Sequence, residues 1–155
     1  MPILSVLVRL APNKFFPITH WDAPRGPYPV GVRDTQFVDD SRVDADADGQ
    51  KRKLMARVWY PAHSVEGLER RRMYSDAECP TMQAGLKSAV GLTSFMVRRQ
   101  GETLTWSYEN APLIECEAGS LPVLIFSHGL SGTVGQNTHL CERLASQGYL
   151  VISVG

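Results

Sequence analysis

The sequence is short of cysteine, of net charge and of any long apolar run, and each shortage removes a class of protein. Its three cysteines, Cys79, Cys116 and Cys141, are odd in number and form no Cys-x-x-Cys pair. Neither a disulfide framework nor a zinc site is therefore expected, and a reducing compartment is indicated. Lys+Arg 16 against Asp+Glu 16 lacks the positive excess that nucleic-acid binders gather on one face, so no nucleic-acid partner is expected. The short run Glu69-Arg70-Arg71-Arg72 reads as a solvated loop. The opening "MPILSVLVRLAP" holds about eight apolar residues, well below the roughly 20 that span a bilayer. With no basic residue before that run and no small-residue cleavage site after it, it is not expected to act as a secretory signal, and a cytoplasmic location follows. Packing of Leu4, Val6, Leu7, Phe15 and Phe16 on the domain is favoured over contact with lipid.

What is present is enough for a core. A chain of 155 residues with 43% hydrophobic content has the size of one ordinary domain. Prolines at 12, 17, 24, 27 and 29, with Gly26 and Gly31, forbid helix and central strand, so residues 1–31 are expected to form an extended arm. The domain itself is expected over 32–155. Strands are expected at about 32–38 and 54–60; Leu54, Ala56, Val58 and Tyr60 alternate with Met55, Arg57 and Trp59, the period of a pleated strand. Residues 62–82 show no period, and Leu86, Ala89, Val90, Thr93, Met96 and Val97 predict a helix over about 83–99.

Between the first two strands, Asp44, Asp46, Asp48 and Gly49 imitate the start of an EF-hand loop. The twelfth position, which must be a bidentate Glu, is Met55 inside a strand, so a solvated hairpin turn is expected and no metal. Further on, the apolar stretch 122–127, a glycine-containing corner, a helix over about 137–147 and the apolar stretch 149–154 predict a parallel βαβ unit. Leu140, Cys141, Leu144 and Ala145 are expected to form its buried stripe, and Gly148 to end the helix.

A loop that leaves a parallel strand and enters a helix presents free N–H groups, a ready site for negative charge. Gly129, Gly132 and Gly135 are spaced three apart, which fails the Gly-x-Gly-x-x-Gly pattern, and no Gly-Lys-Ser/Thr follows, so a nucleotide site is disfavoured. The other use of such a corner is an oxyanion hole, whose N–H donors stabilise the alkoxide formed when an ester carbonyl is attacked. A non-catalytic α/β interaction module is the remaining class.

The segments "GPYPVGVRD", "ARVWYPA", "APL" at 111–113 and "LPVLIFSHGLSG" followed by "LASQGYLVISV" resemble the platelet-activating factor acetylhydrolases. These are a branch of the α/β-hydrolases that includes the lipoprotein-associated and type II phospholipases A2. The resemblance runs from about residue 26 to the end and is poor over 63–107. It implies an α/β-hydrolase fold begun by an antiparallel strand pair and continued by the βαβ unit, with the sheet incomplete. It also implies a calcium-independent serine esterase without cofactor or metal, acting on short acyl esters of phospholipids or other small esters, with peripheral membrane or lipoprotein contact in reach. The alternative within the same fold is another α/β-hydrolase esterase or lipase, or a dienelactone hydrolase-like enzyme. Oligomeric state leaves no signal.

In the family's pattern the residue after His-Gly donates an oxyanion N–H, which falls on Leu130, while His128 and Gly129 support the loop. Ser131 is not expected to be the nucleophile, since Thr133 stands where Gly-x-Ser-x-Gly requires glycine. His20, His63 and His139 lack a plausible serine partner, and no Gly-x-Ser-x-Gly occurs in the chain. The expectation is half an oxyanion hole, no triad, no activity of this chain alone, and an uncovered apolar edge at Val123 to Phe126.

Overall fold

The computed structural model describes residues 21–45, 49–75, 78, 80, 84, 101–129 and 132–155. The chain divides into two compact units, Met1–Asp22 with Arg72–Thr105 and Ala23–Arg71 with Trp106–Gly155. Six strands are described: β1 (Val30–Val43), β2 (Lys51–Pro61), β3 (Arg70–Arg72), β4 (Leu104–Glu109), β5 (Val123–Ser127) and β6 (Leu150–Val154); α1 spans Thr138–Ser146. They form one mixed sheet in the order β3-β4-β1-β2-β6-β5. β1 and β2 are antiparallel, as are β2 and β6, while β5 and β6 run parallel on either side of α1 in sequence. An antiparallel pair followed by a parallel βαβ unit is the α/β-hydrolase arrangement.

Register decides which side chains meet α1. Val32 stands opposite Trp59, and Trp59 opposite Val151, so these three share a face. On that face Val30, Val32, Trp59 and Val151 pack with Cys141 and Ala145 of α1, and Phe126, Leu144 and Tyr149 close the edges. Burial of these apolar groups is the main favourable term in the fold. The helix ends in a Schellman motif: Gly148, at φ 99°, donates to the Ala145 carbonyl at 3.0 Å and Tyr149 to that of Leu144 at 3.3 Å. Glycine takes that φ without steric cost.

The buried stripe of α1 differs from the expected one. Leu140 is 42% exposed, whereas Thr138, Cys141, Glu142, Ala145 and Ser146 are buried. The reason is Glu142, whose Oε1 accepts the Trp106 N–H and the Ser107 hydroxyl, each at 2.6 Å. A carboxylate with two donors can be buried without losing its hydrogen bonds. It turns the helix so that Leu140 faces out.

The arginine run is also not the solvated loop expected. Arg71 is buried in β3, where its Nη2 donates to Asp34 at 2.6 Å and its Nη1 to Glu109 at 3.3 Å. Asp34 also accepts from Arg57 Nε at 2.6 Å and Nη2 at 2.9 Å. Arg57 stands directly across the β1–β2 ladder from Asp34, so register alone brings the pair together. Burial by itself would raise the Asp34 carboxyl, but the hydrogen bonds and charges of Arg57 and Arg71 outweigh it and hold the pKa below the ordinary value. A group depressed in this way stabilises the fold fully above its unfolded pKa and loses that contribution as pH falls through the folded one. Asp34→Asn should therefore cost about 2 kcal/mol near neutral pH, with the difference from the parent shrinking below about pH 4. Urea unfolding across pH 2–7 checks it; a pH-independent gap would mean that the ionised carboxylate is not what matters.

Two further elements escape the sequence patterns. Ser75 and Glu78 form a capping box, Ser75 N–H to Glu78 Oε2 at 2.7 Å and Glu78 N–H to Ser75 Oγ at 3.2 Å. Glu78, Pro80 and Ala84 are helical. The rest of the helix expected to residue 99 lies outside the described residues. The proline-rich arm is described only from residue 21, and its last two residues, Val30 and Gly31, already belong to β1.

β6 inserts between β2 and β5, leaving β5 as an outer strand. Val123 is 56% and Ile125 75% exposed. Phe126 departs from that expectation, because its position opposite Ser153 sends its ring to the α1 side and onto the core.

Candidate active site

The parallel strands β5 and β6 end at one rim of the sheet, and the loop from His128 to Asn137 connects that rim to α1. Among the described residues, five hydrogen bonds shape it. The Gly129 carbonyl lies 2.9 Å from His128 Nδ1 and also accepts the Gly132 N–H at 2.9 Å. The Gly129 N–H donates to Gln136 Oε1 at 3.2 Å, and Gln136 N–H donates to the Thr133 carbonyl at 2.8 Å. Thr138 Oγ1 donates to the Gly135 carbonyl at 2.7 Å, so the far end of the loop is tied to the first turn of α1.

Close packing explains why small residues stand here. A Cβ at Gly132 would lie 2.1 Å from Gln136 Oε1 and 2.9 Å from both the Gly129 oxygen and His128 Cβ. A Cβ at Gly155, just past β6, would lie 3.0 Å from Val134 Cγ1 and 3.3 Å from His128 Nε2. The His128 ring therefore sits beside the end of β6, between the two strand termini. Gly155 is itself fixed, donating its N–H to the Met55 carbonyl at 2.9 Å.

The residues singled out in the sequence fall into three groups. His128 and Gly129 are brought together at the rim, half-buried and exposed respectively. Leu130, the expected oxyanion donor, lies outside the described residues, as do Ser131 and His20. The others sit apart from the loop or are chemically unsuited. His63 follows β2 and donates its N–H to the Pro112 carbonyl at 2.8 Å, and His139 is on the exposed side of α1. Cys141 is buried in the core; burial, followed by the neighbouring Glu142 charge, pushes its thiol up to about 11. At neutral pH it stays protonated, which does not suit a nucleophile. Of the imitation calcium loop, Asp46 and Asp48 lie outside the described residues; Gly49, at φ 73°, belongs to the β1–β2 turn.

Gln136 and Glu142 are the residues that pattern reading missed. Nothing in the sequence marks Gln136. Glu142 could have been found only by asking why a carboxylate falls at spacings of one and three from Cys141 and Ala145, on the inner face of an otherwise apolar helix.

A family model described as platelet-activating factor acetylhydrolase, isoform II, matches residues 14–155. Among solved structures, the chain is similar to a ferulic acid esterase from Streptomyces cinnamoneus, at TM-score 0.63 and 25% identity, over 86% of this chain and 35% of that one. The chain thus spans about a third of that esterase's length. Comparison with curated protein sequences gives no match.

Proposed function

The chain belongs to the platelet-activating factor acetylhydrolase, isoform II, family, and from that premise we propose that it is part of a serine esterase, with the His128–Gly132 loop supplying half of the oxyanion hole. The observation that carries this reading is the position of the loop: it leaves the carboxyl end of a parallel strand in a sheet similar to that of a solved esterase. In this fold one oxyanion donor comes from that loop and the other follows the nucleophile on a different turn.

The chemistry assigns each residue a part. When a serine attacks the ester carbonyl, negative charge moves to the carbonyl oxygen, and a fixed amide aimed at it stabilises the transition state more than the ground state. Leu130 N–H is that donor. Its side chain is secondary, because the peptide does the work. His128 is a brace: carrying its proton on Nδ1, it donates to the Gly129 carbonyl, which belongs to the same peptide as the Leu130 N–H, and so resists rotation of that peptide. Gly129 admits the substrate carbonyl close to the backbone, since no Cβ stands in the way and nothing among the described residues lies within 4 Å of where one would be.

The substrate class proposed is a short acyl ester of a phospholipid, cleaved without calcium. The nucleophile, acid and base are assigned to polypeptide other than these residues. The test is to assay the polypeptide as the cell makes it, and residues 1–155 alone, on 1-alkyl-2-acetylglycerophosphocholine and p-nitrophenyl acetate, with and without EDTA and a serine-directed phosphonate. Hydrolysis by the former that survives EDTA and stops with the phosphonate is expected, with neither turnover nor labelling of the latter. Phosphonate-sensitive turnover by residues 1–155 would place a nucleophile in this chain and overturn the assignment.

A further inference from the structure

We propose that Gln136 is a positioning residue for the oxyanion loop, an inference that rests on the functional reading above. Its side-chain oxygen is the acceptor for the Gly129 N–H at 3.2 Å. That amide is thereby withdrawn from the set that could meet a substrate. The Gly132 amide is withdrawn in the same way by the Gly129 carbonyl at 2.9 Å. With both amides engaged inside the protein, neither is offered to a substrate oxygen. An oxyanion hole needs such selection, because a donor aimed a fraction of an ångström away loses most of its effect on the transition state.

The side chain is well placed to hold that arrangement. Gln136 has its own N–H bound to the Thr133 carbonyl at 2.8 Å, and the next residue, Asn137, takes the left-handed conformation at φ 57° that starts α1. The helix is in turn held to β4 through buried Glu142. Gln136 is thus a strut from a fixed helix start to the opening of the loop. Gly132 fits the same account: any side chain there would occupy the path of the Gln136 amide, with a Cβ 2.1 Å from its oxygen. The residue acts through Gly129 and does not touch the reacting atoms.

The test uses Gln136→Met, which keeps length but has no oxygen acceptor, and Gln136→Glu, which keeps the acceptor. In the whole polypeptide, hydrogen exchange of the Gly129 amide, followed by NMR, should quicken about tenfold in Gln136→Met and stay protected in Gln136→Glu. Esterase kcat should fall about tenfold in Gln136→Met with KM and the urea midpoint little changed, the pattern of an interaction felt mainly in the transition state. Unchanged Gly129 exchange in Gln136→Met would overturn the inference. Faster exchange with kcat unaltered would instead leave the strut in place and overturn the oxyanion reading of the loop.

Discussion

Gly31→Val should lower the unfolding free energy by about 4 kcal/mol, the sum of overpacking and a lost buried hydrogen bond. Gly31 is in β1 directly opposite Tyr60 of β2, and the tyrosine ring lies flat across the position a side chain would fill. A Cβ there would stand 2.3 Å from Cε2 and 2.6 Å from Cζ of that ring. The ring cannot swing aside freely, because its hydroxyl donates to the Ala111 carbonyl at 2.8 Å in a buried bond. Moving it leaves that carbonyl without its donor, and not moving it forces the strands apart. Urea unfolding measures the effect, and a double mutant isolates the cause. Combined with Tyr60→Ala, Gly31→Val should cost well under half of what it costs alone, since the colliding ring is gone. Strict additivity would mean that valine acts through something other than the ring.

The same close approach explains a motif that the sequence shows but does not interpret. In "GPYPVG", Gly31 makes room for Tyr60, and Gly26 makes room for α1: a Cβ at Gly26 would lie 2.0 Å from the Ser146 carbonyl oxygen. Gly26 N–H donates to Ser146 Oγ at 3.2 Å, and Tyr28 N–H to the Ser146 carbonyl, also at 3.2 Å. The segment is a backbone strap across the last turn of the helix. Its prolines forecast an extended path; only the structure shows what lies under it.

Legibility followed chemistry. β5, α1 and β6 were readable because their apolar runs and Gly148 mark out a strand–helix–strand unit, and the β1–β2 pair because its residues alternate. Elements held by polar contacts were not. In β4, "LTWSYE", the buried residues are Thr105 and Ser107, while Leu104 is 46% exposed; the alternation is present with its sense inverted. Ser107 is inside because Glu142 is there to receive it, and the sequence places the two 35 residues apart. β3 was hidden for the same reason: three arginines look solvated until Asp34 and Glu109 are seen beside the middle one. Hydrophobic periodicity finds a core; it has no means of finding two polar groups that bury each other. At the candidate site the His-Gly corner was visible as a motif, whereas the strut from Gln136 depends on a side-chain path that no spacing encodes.

Leu130→Pro should lower kcat by about a hundredfold to a thousandfold in the whole polypeptide, with KM little altered. That is the effect of removing one oxyanion donor from a site where charge develops only in the transition state. Proline has no N–H, whereas Leu130→Ala keeps the peptide donor and should lose no more than a few-fold. The pair separates backbone from side chain, because a leucine serving as an acyl-pocket wall would give the opposite ranking in KM. Proline also restricts φ, so a second substitution removes the proton alone: leucic acid at position 130, introduced by semisynthesis, replaces the N–H by an ester oxygen and keeps the isobutyl group. Its kcat should fall as far as that of Leu130→Pro while the Gly129 amide stays protected through Gln136. A leucic-acid protein within twofold of the parent would show that the proton on this nitrogen does not meet the alkoxide, and the oxyanion donor would have to be sought on another element.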